Sequence, residues 1–278
     1  VGGASSAITI SYAMIFRLTP HAIEAGYRIM SFDRVDSTNI LATAFARSGD
    51  TGKLWIVAIE QMAGRGRRGR HWVNIPNNLY ATLLLIDDFS SEQTATLGFV
   101  AGVSLIDALQ HILSRTDRVS YSLKLKWPND IFLNGGKLGG ILLEYLPFLK
   151  GGNGIVIGIG VNVVTSPIID LPYPATSLWQ AGVYCSAAEI FEVLSHTWVD
   201  NYNIWNHGAG LLKIQKRWLH HAANLGQMVH VRINNRITSG IFETIDKDCH
   251  FVLRRSDGQK VIISAGDVYF GSIASAHL

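Results

Sequence analysis

The feature that most constrains the fold is a series of chain reversals between residues 121 and 164. Tyr121, Leu123, Leu125 and Trp127 alternate with Ser122, Lys124 and Lys126, the period-two pattern of a strand with one apolar face. On that reading Lys124 and Lys126 share a solvated face. Pro128-Asn129-Asp130 ends the strand, Asn134-Gly135-Gly136 makes a tight turn, and the chain returns from Lys137 to Tyr145. Gly151-Gly152-Asn153-Gly154 turns it again, into a strand from Ile155 to Val164 punctuated by Gly158 and Gly160. Hairpin follows hairpin, which favours an α+β fold, a mixed or antiparallel sheet with helices packed on it, over a doubly wound one.

The flanking segments supply the rest of that sheet and its helices. Arg28 to Val35, Leu54 to Glu60 and Leu79 to Ile86 read as strands. Asp36-Ser37-Thr38-Asn39 places capping side chains before a helix with Ile40, Leu41, Ala44 and Phe45 on its apolar face. Ser90 and Gln93 form a capping-box pattern, and Leu97, Ala101, Leu105, Ala108, Leu109 and Ile112 continue at helical spacing. Residues 187–205 and 210–222 are also helical. After residue 223 the pattern changes to short strands at 228–233, 238–245, 250–254 and 260–264, joined by Asn234-Asn235 and Asp257-Gly258 turns. The expected domains are an extension over 1–26, its Gly/Ser/Ala-rich start disordered, a large domain over 27–223, and a small β-barrel over 224–278.

With 278 residues and 48% apolar composition, the chain can bury a substantial core. Its uninterrupted apolar runs are too short to span a bilayer, and its start lacks the basic region of a secretory signal. Cys185 and Cys249 form neither a disulfide framework nor a metal site, and fit a reducing cytoplasm. Ten histidines show no ligand spacing, so no structural metal is expected.

Basic character is local. Net charge is only +3, yet Gly64-Arg65-Gly66-Arg67-Arg68-Gly69-Arg70 places four guanidinium groups among three glycines. Mutually repelling arginines cannot enter a core unpaired, so the loop is expected to be exposed and mobile until an anion neutralises it. Glycines let backbone N–H groups approach that anion. No helix pattern follows Arg70, so this is neither the phosphate loop that ends Gly-Lys-Ser/Thr nor the dinucleotide fingerprint.

Four segments, in this order, resemble the biotin protein ligases: Asp36 to Asn39, Gln61 to Arg70, Lys126-Trp127-Pro128-Asn129-Asp130, and Lys137-Leu138-Gly139-Gly140-Ile141-Leu142. Gly158-Ile159-Gly160-Val161-Asn162 and the terminal barrel also match, so the resemblance runs from about Arg28 to Phe270. It implies a class II synthetase-like catalytic domain with an SH3-like C-terminal barrel. It also implies a reaction: biotin and ATP give biotinoyl-5′-AMP, and a lysine of a carrier domain of acetyl-CoA carboxylase or a related carboxylase takes the biotinoyl group. Mg²⁺ would accompany ATP, and both monomers and homodimers occur in the family.

The resemblance also assigns residues. Ser37, Thr38, Asn39 and Gln61 would hydrogen-bond biotin, with Gly64, Arg65, Gly66 and Arg67 closing over it and Gly140 and Gly158 lining its pocket. Arg70, Trp72, Asn129 and Asn162 would contact the nucleotide. Lys137 would serve catalysis beside the reacting carboxylate and α-phosphate, together with Arg67 and Asp130; Asp130 would hold Mg²⁺ or orient the acceptor lysine. Only 35 residues precede Asp36, fewer than a helix-turn-helix domain needs, so no DNA partner is expected. Two rivals predict different behaviour: a lipoate-type ligase, and a nucleic-acid module using the arginines as a phosphate clamp, which would bind oligonucleotides with a strong salt dependence.

Overall fold

A computed structural model of the chain describes residues 16–116, 120–167, 173–233 and 236–269. In chain order the elements are α1 (Pro20–Glu24), β1 (Arg28–Val35), α2 (Thr38–Arg47), β2 (Leu54–Gln61), β3 (Gly64–Arg65), β4 (His71–Trp72), β5 (Leu79–Asp87), α3 (Ser91–Leu113), β6 (Leu123–Lys126), β7 (Asp130–Leu133), β8 (Gly136–Leu149) and β9 (Gly152–Val161). Then come α4 (Ala187–Trp205), α5 (Leu211–His220), β10 (Met228–Ile233), β11 (Arg236–Ile245), β12 (Phe251–Arg254), β13 (Lys260–Ile263) and β14 (Asp267–Tyr269).

A seven-stranded sheet has the order β1-β2-β5-β9-β8-β7-β6. The β1–β2 pair is parallel, with α2 as its crossover, and the other pairs are antiparallel, as consecutive reversals require. Alternation along β2 and β5 divides the core. Leu54, Ile56 and Leu84 bury against Ala42 and Ala46 of α2, whereas Trp55, Val57, Leu83 and Leu85 join the main core. There α3, capped by Ser90 and Gln93, lies beside α4, and Trp55 meets Trp198 edge to face. The helical window Glu92–Leu113 is long and apolar enough to cross a membrane, but 78% of it is buried inside the protein, as in a core helix.

The secondary elements depart from the sequence reading at residues 128–136 and at the start of the chain. Residues 128–136 hold not turns alone but a further strand, β7, so that β6–β7 and β7–β8 are successive hairpins. Residues 1–15 lie outside the described part, but the expected extension does not run to residue 26: Phe16, Leu18 and Ala22 are buried, and Thr19 caps α1. The expected Asn234-Asn235 turn lies outside the described residues.

The small sheet has the order β13-β12-β11-β10-β14. A flat sheet of five strands would hold its edges about 19 Å apart, yet the link from Ile263 to Asp267 spans at most roughly 14 Å, so the sheet must curl toward a barrel. Its apolar side is continuous with the main core. Trp127 packs on Phe251, and its indole N–H donates to the Cys249 carbonyl at 3.2 Å.

Candidate active site

Beside α2, the sheet is floored by glycine. The register aligns Asp130 with Gly140, Gly140 with Gly160 and Gly160 with Tyr80, one row across four strands. With no side chains on Gly140 and Gly160, the Trp72 indole lies directly over them; a Cβ on Gly160 would stand 2.7 Å from the ring. Two residues along, the row through Thr82 and Gly158 meets the N-terminus of α2.

There the polar side chains are buried but paired. Ser37 caps the helix. The Thr38 N–H and hydroxyl both donate to Gln61 Oε1, at 2.9 and 3.0 Å. Asn39 donates through Nδ2 to Glu144 Oε2 at 2.8 Å. Thr82 Oγ1 lies 2.7 Å from both Thr38 Oγ1 and Asn39 Oδ1, so its single proton serves one of them at a time. Residues 37–39 thus offer a neutral wall rich in hydrogen-bonding atoms.

The other end is cationic. Lys137 Nζ is 2.7 Å from Asp130 Oδ1, Lys126 Nζ is 3.9 Å from Oδ2, and the Tyr173 hydroxyl donates to Oδ2 at 3.1 Å. Burial alone would raise the Asp130 carboxyl, but Lys137 and Lys126, with hydrogen bonds from Lys137 and Tyr173, hold it below the usual carboxylate range. Burial pushes the Lys126 ammonium down to about 8 against the opposing pull of Asp130. Lys126 also sits 4.6 Å from the Tyr173 ring centroid. Two ammonium groups around one carboxylate leave net positive charge in the cleft.

Arginines add to that charge from the loop, a two-rung hairpin of β3 and β4 around a 3-10 turn at Arg67–Gly69. Gly64 lies beneath the loop, where a Cβ would stand 2.5 Å from the Trp72 carbonyl. The expectation of arginines awaiting an outside anion is corrected, because the protein supplies anions itself. Arg65 pairs with Glu144 at 3.0 Å, while Asp267, at the start of β14, lies 2.7 Å from Arg68, 3.0 Å from Arg70 and 4.0 Å from Arg67. Arg67 is the most enclosed of the four. Burial lowers its pKa, and it donates to Asn129 Oδ1 at 3.1 Å and to the Gly266 carbonyl at 3.3 Å.

One cleft gathers Ser37, Thr38, Asn39, Gln61, Arg65, Gly66, Arg67, Arg70, Trp72, Asn129, Asp130, Lys137, Gly140, Gly158 and Asn162, with Gly64 just behind its wall. Asn162 follows the end of β9 and donates to the Thr176 carbonyl at 3.0 Å. Sequence reasoning missed Lys126, Tyr173, Glu144, Thr82 and Asp267. Lys126 is 5% exposed rather than on a solvated face. Recognising β7 would have found it, since the hairpin pairs Lys126 directly with Asp130. Tyr173 and Asp267 are remote in sequence, and no local pattern marks them.

Likeness to known proteins decides the family. The profile of the Biotin/lipoate A/B protein ligase family matches residues 31–162, and that of the biotin protein ligase C terminal domain matches 225–271. A biotin–acetyl-CoA-carboxylase ligase from Paracoccus denitrificans is 36% identical over 249 residues, covering 86% of this chain and 98% of the relative. The chain belongs to the biotin protein ligase family. Among its other members, the bifunctional ligase/repressor BirA of Bacillus subtilis is 29% identical, covering 88% of this chain and 75% of that protein. The fold agrees with that of a biotin protein ligase from Aquifex aeolicus in complex with biotin and ATP, at TM-score 0.70 and 22% identity over 87% of this chain and 97% of the other.

Proposed function

We propose that this chain activates biotin with ATP to biotinoyl-5′-AMP and transfers the biotinoyl group to a lysine of an acetyl-CoA carboxylase carrier domain. The observation that carries this reading is the division of the cleft: a neutral hydrogen-bonding wall at Ser37 to Asn39 leads into the cationic cluster of Lys126, Lys137 and Arg67. Biotin matches that division, with an uncharged polar ring at one end and a carboxylate at the other. The ring would otherwise be desolvated without partners.

Joining the carboxylate to an α-phosphate brings two anions together, so the first task is electrostatic. A biotin carboxylate oxygen attacks the α-phosphorus and pyrophosphate leaves. Lys137 and the arginines neutralise the charge that accumulates, and Trp72 presents a flat face for the base. In the second step the acceptor lysine gives up a proton to water, its neutral amine attacks the acyl carbon, and AMP leaves as a second proton is lost from nitrogen. Because Asp130 is held strongly ionised, it suits orienting the incoming ammonium better than retaining a proton from it. Mg²⁺ binds through phosphates and one or two carboxylates. Asp130 offers one, already engaged by Lys137, so these residues fit an ion that arrives on the nucleotide and neutralises its phosphates.

The test is exchange of labelled pyrophosphate into ATP. It should depend on biotin; exchange supported equally by lipoate would favour the lipoate-type reading, and no exchange with either would overturn the proposal.

A further inference from the structure

Away from the cleft, three metal-ligating side chains converge where α1 lies along α4. His196 and Asp200 are one helical turn apart on α4, and His21 comes from α1. Both imidazoles address the same carboxylate: His21 Nε2 is 3.0 Å from Asp200 Oδ1, and His196 Nε2 is 3.5 Å from Asp200 Oδ2. One ligand atom from each residue lies within 4.8 Å of the other two, and the rings are 4.6 Å apart. Bonds of about 2.0–2.1 Å in a tetrahedral zinc site place ligand atoms roughly 3.3 Å from one another. The two histidine–carboxylate distances are close to that length but end on different oxygens of Asp200, so the carboxylate must turn to bring one oxygen toward both imidazoles.

We propose that His21, His196 and Asp200 form a site for a divalent transition-metal ion of the zinc class, with a fourth position open to water. Two imidazoles and one carboxylate suit zinc better than magnesium or calcium, which favour oxygen ligands. The fold positions the ligands in advance. Phe16, Leu18 and Ala22, close to His21 in the chain, are buried in the core, the Thr19 N–H donates to Ser195 Oγ at 3.1 Å, and Arg17 pairs with Glu192 at 2.9 Å. These contacts hold α1 on α4 while all three ligand side chains stay accessible. The expectation that the histidines show no ligand spacing overlooks this group because His21 is far from His196 in the chain and meets the His196–Asp200 pair only in the fold. The other such group among the described residues, Asp246, Asp248 and His250, has a different occupation: Asp246 Oδ1 accepts from the N–H groups of Asp248 and His250, at 2.9 and 2.8 Å, and so serves a turn.

The test is titration of the metal-stripped full chain with ZnCl₂ by calorimetry and thermal unfolding, with Co²⁺ absorption as a readout of ligand number and geometry. The wild type should bind one Zn²⁺ in the micromolar range with a rise in Tm. His21→Ala and His196→Ala should each weaken binding at least about tenfold, while Asp248→Asn leaves it unchanged. Circular dichroism and biotin-dependent exchange report whether each variant is folded. Absence of saturable one-site binding in the wild type, or equal binding by the folded His21→Ala and His196→Ala variants, would overturn the site.

Discussion

Gly158 and Gly160 lie two residues apart on the same strand and face the same side, yet replacing each with alanine should disable a different half of the cleft. At Gly158 an added Cβ would stand 2.2 Å from Asn39 Oδ1 and 2.9 Å from its Cγ. Ordinary contact requires about 3.5 Å, so the amide must move by more than an ångström. Asn39 is held by Glu144 at 2.8 Å and Thr82 at 2.7 Å, and moving it breaks both hydrogen bonds. Their loss costs about 1–3 kcal/mol, which a domain of this size survives, but the displaced amide then intrudes on the biotin end. A binding loss near 3 kcal/mol would raise the KM for biotin roughly 150-fold. At Gly160 the Cβ instead meets Trp72, 2.7–3.0 Å from Cε2, Cζ2 and Nε1, and tilts the indole off its floor. Stacking of a base on an aromatic ring is worth about 1–3 kcal/mol, so the KM for ATP should rise roughly 5- to 150-fold. Pyrophosphate exchange, with each substrate varied at saturating levels of the other, separates the two effects. Equal changes in both KM values for both variants, or the opposite assignment, would refute this division of the cleft.

Other parts of the site make separate predictions. Lys137→Ala should lower the rate of adenylate formation at least about 100-fold with little change in the KM for biotin, the pattern expected of an ammonium that acts on charge developed in the reaction; single-turnover kinetics read this directly. Arg67→Gly should release biotinoyl-AMP from the cleft, measured as adenylate appearing in solution without carrier. Lys126, whose pKa is lowered to about 8, loses its charge as pH rises through that value, so affinity for ATP should fall there; Lys126→Met should bind ATP more weakly below pH 8 and lack that inflection. Three partly exposed ion pairs on Asp267 contribute about 1–3 kcal/mol together, so Asp267→Asn should speed amide exchange of residues 64–72 roughly 5- to 150-fold in the ligand-free protein. Unchanged protection would mean that Asp267 does not hold the loop.

The elements most legible in the sequence are those where local signals agree. Ser90 with Gln93 and the helical spacing of Leu97 to Ile112 locate α3, and the Ser37 cap locates α2. The glycine-arginine loop and its neighbours likewise converge on one cleft. Strand β7 was illegible because its few apolar residues, Ile131, Phe132 and Leu133, lie between two strong turn signals. Lys126 was misplaced for a related reason: alternation identifies the opposite face of a strand but not what covers it, here Tyr173 and the cleft. The start of the chain misled through composition, since glycine, serine and alanine make up residues 2–7 while Phe16 and Leu18 carry the packing. Asp267 joins the arginine loop across 199 residues, a pairing that no local pattern encodes.

At the centre of the proposed reaction, a carboxylate is activated in this cleft and passed to a protein lysine. The most direct measurement incubates the purified chain with biotin, ATP, Mg²⁺ and a carboxylase carrier domain, and locates the modification by mass spectrometry. Biotin should appear on one carrier lysine, dependent on ATP and reduced at least about 100-fold by Lys137→Ala. An unmodified carrier after long incubation, or a Lys137→Ala variant as fast as the wild type, would contradict it.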